Sequence, residues 1–313
     1  MHTRGKKNFS FFFRIILLAT FLLVAVFAFK NKIDSKIISP LSENSDLIKK
    51  TVTLFPKDEQ RKPPDPESLI KEIKKYIDSQ QGNYSIYVYE LTANQGYGIN
   101  ETTIYTAASV NKIPILAALY FEAQKELIDL DRRITIQQKD IQDYGTGTIR
   151  YEGSGGVYSL KTLAQLMIEK SDNTAAFVLT GIIGEERIQE LVDSWGLTQT
   201  DIKNNKTSNK DMATLLTKIY RKQIANNALT TEMIGFMDDS DFENRLPFML
   251  PKNLTVYHKI GNEVGNIHDV GIVNHPTNPY YIGVLTNDIV NDQAAEEAIA
   301  HISKMVYDFM SSQ

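Results

Sequence analysis

The pattern of apolar and polar positions along the chain changes from strand-like to helical and back again. Tyr84 to Leu91 alternates apolar with polar or aromatic positions, and the turn residues 92–96 lead into a second short run, Tyr97 to Asn100. This pattern predicts a β-hairpin. Three more strand-like runs occur late in the chain, at Thr255 to Ile260, Asp269 to Val273 and Tyr280 to Thr286.

Helical periodicity dominates the chain from Ser109 to about Ala300. An earlier helix is predicted to start at Asp65-Pro66, a capping residue followed by a proline suited to the first helical position. Its apolar face consists of Leu69, Ile70, Ile73 and Ile77. Further helices are predicted at Leu160 to Glu169, Thr174 to Ile183, Arg187 to Trp195 and Asp211 to Tyr220. A terminal amphipathic helix carries Ala298, Ile299, Ile302, Met305, Val306 and Phe309 on one side.

Two strands before the helical part and three after it imply one antiparallel sheet whose first and last strands are neighbours in space. We therefore expect an α+β fold, because strands and helices occupy separate runs of the chain. The five-stranded sheet lobe is assigned to residues 65–107 and 246–313, with the terminal helices flanking the sheet. The inserted all-helical lobe is assigned to residues 108–245. Ligand pockets favour such boundaries, so the cleft is expected between the lobes.

The first thirty residues have the features of an export signal. Basic residues up to Arg14 precede an apolar run from Ile15 to Phe29, which predicts a signal-anchor or a signal peptide over residues 1–30. The anchor is favoured because Val26-Phe27-Ala28 is a poor cleavage site, but both alternatives stay open. Residues 31–64 are polar and end in a proline-bearing stretch, which indicates a linker. We expect a single-pass membrane protein with an extracytoplasmic domain, or a secreted one if the signal is cleaved.

Composition excludes several kinds of function. The 313 residues carry a net charge of -4, with acidic and basic residues mixed, so there is no basic stripe for nucleic acid. The absence of cysteine excludes thiolate metal sites, disulfides and a cysteine nucleophile. The histidines show no His-Glu-x-x-His spacing, and neither a metal nor a cofactor is predicted. No obligate protein partner is evident.

Three short motifs occur in order: Ser109-Val110-Asn111-Lys112, Ser171-Asp172-Asn173 and Lys259-Ile260-Gly261. Ser109 precedes an apolar helical run, so it is expected at a helix N-terminus, where backbone N–H groups favour developing negative charge. Lys112 lies three residues further on, on the same helical face, and burial would lower its pKa enough for it to act as a base. A helix-capping serine and a solvated lysine are the alternative interpretation.

The second and third motifs also permit two interpretations. Ser171 and Asn173 form a polar break between two apolar helical stretches, which is typical of an inward-facing site and also of a helix-capping turn. Lys259 follows an apolar strand, and Gly261 removes a side chain where a substrate would lie along the strand edge.

His268-Asp269 suggests a Ser-His-Asp triad with Ser109, but a lysine as helical neighbour explains that serine better.

The three motifs together resemble the signature of class A β-lactamases and related penicillin-recognising serine hydrolases, over residues 65–313. The resemblance implies a five-stranded antiparallel sheet with flanking helices and an inserted helical lobe. It also implies that Ser171 relays a proton and that Asn173 binds the substrate amide. It further implies that Lys259 attracts the substrate carboxylate, while the backbone N–H groups of Ser109 and Asn262 form the oxyanion hole.

The chain departs from this family pattern at two places. Ile260 stands where a threonine would donate a hydrogen bond to the carboxylate, so we expect weaker recognition, by about ten- to a hundredfold. Class A β-lactamases carry a glutamate on a loop after the second motif, and it activates the water that frees the acyl-enzyme. Between Trp195 and Asp211 this chain has no glutamate, and Asp201 is the one acid.

These features predict a serine hydrolase that forms an acyl-enzyme with β-lactams and turns over slowly. The expected substrate is a β-lactam or a D-Ala-containing wall peptide. Two alternatives stay open: a D-Ala-D-Ala peptidase or related cell-wall amidase or esterase, and a non-catalytic penicillin or peptidoglycan sensor that keeps the fold.

Overall fold

The computed structural model describes residues 65–238 and 240–313. Within these ranges the strands are β1 (Asn83–Glu90), β2 (Gln95–Ile99), β3 (Ile104–Thr106), β4 (Arg133–Thr135), β5 (Val157–Ser159), β6 (Lys206–Ser208), β7 (Val256–Glu263), β8 (Asn266–Val273) and β9 (Tyr280–Asn287). The helices are α1 (Pro66–Ile77), α2 (Lys112–Gln124), α3 (Ile149–Glu152), α4 (Leu160–Glu169), α5 (Asn173–Ile183), α6 (Glu185–Ser194), α7 (Asn209–Tyr220), α8 (Asn227–Asp238) and α9 (Asp292–Ser311).

The main sheet has five strands in the order β2-β1-β9-β8-β7, and every neighbouring pair is antiparallel. The early strand β1 pairs along its whole length with the late strand β9, from Asn83 opposite Asn287 to Glu90 opposite Tyr280. The α+β fold class and the five-stranded antiparallel sheet are therefore confirmed. The lobe boundaries at residues 107, 108, 245 and 246 stay predictions.

The terminal helices cover one face of the sheet. Asp65 caps α1 by accepting a hydrogen bond from the Glu67 N–H, and Pro66 occupies the first helical position. The apolar side of α1, which includes Leu69 and Ile73, packs in one buried cluster with α9 and with residues of β1 and β9. Hydrophobic burial holds the two helices on this face, and the strand order leaves β7 as an edge strand.

The opposite face of the sheet meets the helical lobe. Helix α2 is apolar on all sides and nearly every residue in it is buried, which makes it the centre of this lobe. Helices α4, α5, α7 and α8 pack around it in the same cluster. Ser109 and Lys112 come at the start of this buried helix, and the rigid surroundings hold their side chains in place.

Two short sheets were not predicted from the sequence. β3 pairs with β6, and β4 pairs with β5, in three-residue ladders. Such ladders are too short for an alternating pattern to distinguish them from loops. The pairing of β3 with β6 ties the segment before Ser109 to the loop that follows α6.

The start of β8 differs from the predicted one. β8 starts at Asn266 rather than Asp269, because a two-residue hairpin loop joins it directly to β7.

None of the helices within residues 65–238 and 240–313 is both long and apolar enough to cross a membrane. The predicted signal segment and linker, residues 1–64, lie outside the described residues.

Candidate active site

Ser109 lies in a 3₁₀ turn, Ala108–Asn111, that runs directly into α2. Ser109 therefore lies near the N-terminus of a continuous helical segment, whose first turn is 3₁₀ and whose α-helical part begins three residues later, at Lys112. Ala108 has a φ of 49°, a left-handed conformation that costs a non-glycine residue energy. Such strain concentrates at functional sites, and here it is stored immediately before the serine.

Gly261 of β7 packs against this turn. A Cβ atom at position 261 would lie 3.0 Å from the Ala107 carbonyl oxygen and 3.3 Å from the Ala108 Cβ. Glycine therefore lets the edge strand approach the strained turn closely, in addition to leaving the strand edge free for a ligand.

Lys112 connects the first and second motifs. Its Nζ lies 2.9 Å from Ser109 Oγ, 2.7 Å from the Ser171 carbonyl oxygen and 2.7 Å from Asn173 Oδ1. The two carbonyl oxygens can only accept, so they orient two N–H bonds of the amine. In a neutral amine, the remaining lone pair is then available to the Ser109 hydroxyl. This is the geometry of a general base beside its nucleophile.

The electrostatics of Lys112 agree with this geometry. Burial lowers the pKa of Lys112 to about 7, although the nearby Asp172 carboxylate acts in the opposite direction. A large fraction of the amine is therefore neutral at physiological pH, which an exposed lysine could not achieve.

This pKa predicts how acylation depends on pH. If neutral Lys112 accepts the Ser109 proton, the second-order rate constant for acylation by penicillin should rise about tenfold per pH unit below about pH 7 and level off above it. Stopped-flow acylation measured from pH 5.5 to 8.5 tests this. A flat profile over that range would exclude Lys112 as the base.

Ser171 bridges two lysines. Its Oγ lies 3.1 Å from Lys112 Nζ and 3.0 Å from Lys259 Nζ. Ser171 has a φ of 52°, and its carbonyl oxygen also accepts a hydrogen bond from the Thr146 hydroxyl. Burial and the neighbouring charge of Lys112 hold the pKa of Lys259 well below its usual value. The Ser171 hydroxyl can therefore pass a proton between two amines of reduced basicity.

Asp172 has a structural role at the start of α5. Its carboxylate caps the helix by accepting from the Ala175 N–H, and it also accepts from the N–H groups of Thr148 and Ile149. A Cβ atom at Gly147 would lie 2.4 Å from this carboxylate. Asp172 is therefore a helix cap, as the capping-turn interpretation expects. The catalytic interpretation of the second motif is compatible with this cap and stays a prediction, because Ser171 and Asn173 contact Lys112.

The hairpin between β7 and β8 sets the direction of the Asn262 N–H. Its two-residue loop makes Glu263 and Asn266 a hydrogen-bonded pair, and such pairs alternate along an antiparallel ladder. Asn262 is therefore in a non-hydrogen-bonded position, and its N–H points away from β8 towards the open edge. The Ser109 N–H likewise donates to no backbone acceptor within the described ranges. The two backbone donors expected for the oxyanion hole are thus both available.

Arg245 holds this end of β7 in place, a role that was not predicted from the sequence. The side chain is 1 % exposed and donates to the backbone oxygens of Gly261 and His268, to Asn262 Oδ1 and to Glu296. A single arginine in a loop has no distinguishing pattern, so no sequence signal marked it. Its contacts fix the position of the strand that carries the third motif.

His258 and Asp269 form a buried ion pair behind that strand. His258 Nδ1 lies 2.9 Å from Asp269 Oδ1, and Asp269 Oδ2 accepts from the Leu246 N–H. Burial alone would lower the pKa of His258, but the Asp269 carboxylate and the nearby Glu243 outweigh it and raise the pKa to about 9. The pair is therefore charged at neutral pH.

This shift predicts a pH-dependent contribution to stability. A histidine whose folded pKa is raised stabilises the fold fully below its unfolded pKa and loses that contribution as pH rises through about 9. The unfolding free energy of His258→Gln should therefore fall below that of the wild type by about 3 kcal/mol at pH 6 and by much less at pH 9. The comparison with the variant is needed because the lowered pKa of Lys112 makes the unfolding free energy rise with pH, whereas the raised pKa of His258 makes it fall. A difference independent of pH would mean that His258 is neutral in the folded state.

His268 does not form a triad with Ser109. Its Nδ1 accepts from the Thr286 N–H and its Nε2 donates to the Thr106 carbonyl oxygen, which occupies both ring nitrogens. Burial lowers the pKa of His268 to about 4, so the ring stays neutral. The preference for a lysine base over a histidine base is supported by these contacts.

Ile260 is buried beside the third motif. It is 2 % exposed and pairs with Asp269, so it shares a strand face with that carboxylate and lies on the face opposite Lys259 and Gly261. Its carbonyl oxygen accepts from Lys259 Nζ at 3.2 Å. The expected weakening of carboxylate recognition by Ile260 stays a prediction.

The loop between α6 and α7 contacts the serine turn, Ala108–Asn111, through an asparagine and not through a carboxylate. Asn205 accepts from the Asn111 side chain through Oδ1 at 2.9 Å and from the Ala107 N–H through its backbone oxygen at 2.8 Å. Asp201 instead accepts from the N–H and the side chain of Asn204 in its own loop. Asp201, the one acid between Trp195 and Asp211, therefore bonds within its own loop and has no contact with Ser109 or Lys112 among the described residues.

The described residues contain no group of three or more histidine, aspartate or glutamate side chains that could hold a metal ion. The chemistry of the site is carried by hydroxyl, amine and amide groups on three elements: the serine turn, the start of α5 and strand β7.

This fold, with a serine hydroxyl beside a buried lysine amine, indicates a protein of the serine hydrolase class. The sequence model of the β-lactamase enzyme family matches residues 68–310, so the chain belongs to that family. It is 22 % identical to β-lactamase VEB-1 of Pseudomonas aeruginosa, in a match covering 78 % of this chain and 90 % of that protein. It is 24 % identical to β-lactamase BRO-1 of Moraxella catarrhalis, covering 71 % of this chain and 76 % of that protein.

Solved structures agree with this assignment. PBP-A superposes with a TM-score of 0.75 at 26 % identity, covering 80 % of this chain and 99 % of that one. A variant of PBP-A, solved as an acyl-enzyme complex with penicillin G, superposes equally well. A β-lactamase from Sphaerobacter thermophilus has a TM-score of 0.74 at 21 % identity, over 79 % of this chain and 98 % of that one. The fold is that of class A β-lactamases and PBP-A.

Proposed function

We propose that this protein is an extracytoplasmic serine hydrolase that forms an acyl-enzyme with β-lactams at Ser109 and releases it slowly. The observation that carries the proposal is the position of Lys112, whose amine lies 2.9 Å from Ser109 Oγ and has a pKa lowered to about 7. Relatives that are β-lactamases support β-lactams as the substrate class.

The acylation step follows from the contacts. Ser109 Oγ attacks the lactam carbonyl carbon while its proton passes to the neutral amine of Lys112. The N–H groups of Ser109 and Asn262 stabilise the oxygen that becomes negative, a contribution worth about 3 kcal/mol or more per donor. The lactam C–N bond then breaks.

Ser171 and Lys259 complete the step. The leaving nitrogen receives a proton from the Ser171 hydroxyl, which is resupplied through Lys112. Lys259 places positive charge beside Ser171 and attracts the substrate carboxylate when its amine is protonated. Asn173 binds the substrate amide in this proposal: its Nδ2 donates one hydrogen to the Tyr144 carbonyl oxygen, which leaves the second N–H for a substrate carbonyl.

A pulse and chase with labelled penicillin tests the proposal on the full chain. Label that is incorporated at one equivalent and persists through the chase is the expected result. Rapid loss of the label would indicate an efficient lactamase, and no incorporation would indicate a binding protein without acyl transfer.

A second candidate is a D-Ala-D-Ala peptidase or related cell-wall amidase or esterase. The loop that presents Asn205 in place of a carboxylate favours it, as does the similarity to PBP-A. Release of D-Ala from a synthetic peptide ending in D-Ala-D-Ala, lost in Ser109→Ala, would establish this activity. Release that continues in the variant would rule it out.

The location is a further part of the proposal. The basic and apolar residues 1–30 support export with membrane anchoring, and residues 31–64 support a tether. Protease added to spheroplasts should remove the folded domain while leaving cytoplasmic markers intact. Protection of the domain from the protease would place it inside the cell.

A further inference from the structure

A second cavity lies between β1 and the outer face of α7, apart from the catalytic groups. It has a volume of about 350 Å³, which is within the range for small-molecule sites. The side chains of Ser109, Ser171 and Lys259 do not line it. Its floor includes the rings of Tyr87 and Tyr89, which offer a flat surface to the organic part of a ligand.

Three cations line this cavity: Lys210, Lys218 and Arg221. In the part of the chain that the structure describes, no carboxylate lies within 4.0 Å of any of them, and no acidic residue lines the cavity. Lys210 Nζ is held by the Tyr87 hydroxyl at 2.8 Å and lies 4.8 Å from the ring centroid. The cavity therefore carries an uncompensated positive charge on partly fixed side chains.

Arg221 is held in the same wall by uncharged groups. Its guanidinium donates to the Leu91 carbonyl oxygen and to Asn94 Oδ1. These contacts fix the third cation without neutralising it, because neither acceptor is charged. An anion in the cavity supplies the charged acceptors that the three cations lack.

We propose that this cavity binds the phosphate group of a small organic phosphate ester. A phosphate monoester carries about -1.5 to -2 charges at pH 7 and three acceptor oxygens, whereas a carboxylate carries one charge and two oxygens. Three cations match the phosphate better. The proposal is independent of the proposed acyl transfer, because it uses none of the catalytic residues.

Isothermal titration of the full chain with glycerol 3-phosphate at low ionic strength tests it. We expect saturable binding of one equivalent, weakened about fivefold by Lys218→Gln. Lys210→Gln should weaken binding by a similar factor, because it removes a second cation from the cavity wall. Lys222→Gln is the matched control, since this exposed lysine follows α7 but does not line the cavity.

Four outcomes would overturn the proposal. The first is the absence of saturable binding at 10 mM glycerol 3-phosphate. Equal weakening by Lys222→Gln would reveal a diffuse charge effect, and loss of binding in Lys259→Gln would place the phosphate in the catalytic cleft. Tighter binding of citrate than of glycerol 3-phosphate would show that the site selects carboxylates.

Discussion

Ser109→Ala is expected to abolish covalent labelling by penicillin completely. Intact mass of the wild type after incubation should rise by one penicillin, whereas the variant should keep its unmodified mass. The physical reason is that the Ser109 hydroxyl lies 2.9 Å from the buried Lys112 amine, which can take its proton. The change removes one oxygen atom from a turn, so the fold should be retained.

Controls separate the nucleophile from other serines. Ser154→Ala removes an exposed hydroxyl and should label like the wild type. Lys112→Ala should keep Ser109 but lose the base, which slows acylation by about 10²–10⁴-fold. A mass adduct that persists in Ser109→Ala would show that another residue is acylated and would remove the basis for the proposed mechanism.

The fold could be predicted from the sequence because its signals are long and periodic. The alternation in β1 and the apolar face of α1 each extend over eight or more residues, and hydrophobic burial then leaves few arrangements. The order of strands and helices along the chain was enough to predict the inserted lobe. The β3–β6 and β4–β5 ladders were missed because three residues carry no measurable period.

The residues of the three motifs could be predicted from the sequence, but the residues that hold them in position could not. Ser109, Lys112 and Ser171 come together as expected, because a motif at a fixed helical spacing determines which side chains meet. Arg245 and the His258–Asp269 pair were missed, since their partners are far away along the chain and no local pattern marks them. The 3₁₀ turn at Ser109 was missed because four residues carry no measurable period, and its neighbour Gly261 is distant along the chain.

Hydrolysis of penicillin by the full chain is expected to show a burst of one equivalent followed by a slow steady state. Acylation has a nucleophile, a base and two backbone donors. Deacylation additionally needs an activated water, and the loop facing the serine turn presents Asn205, whose amide is not a base. Because general-base assistance is worth about 10²–10⁴-fold, the acyl-enzyme should outlive that of an efficient lactamase by a similar factor.

Asn205→Asp offers a direct test of this explanation. The substitution is nearly isosteric, keeps an acceptor for the Asn111 amide, and suits the left-handed backbone at this position, where φ is 51°. It places a carboxylate against the serine turn, so we expect the steady-state rate to rise about tenfold or more while the burst amplitude stays near one equivalent. Asn94→Asp is the matched control: this exposed asparagine in the β1–β2 turn also has a left-handed backbone (φ 54°), and its Oδ1 only accepts, from Tyr89 and Arg221, so both phases should stay unchanged. If the steady-state rate of the wild type were as fast as the burst, a base in the protein would already activate the deacylating water. The explanation of slow deacylation by Asn205 would then be wrong.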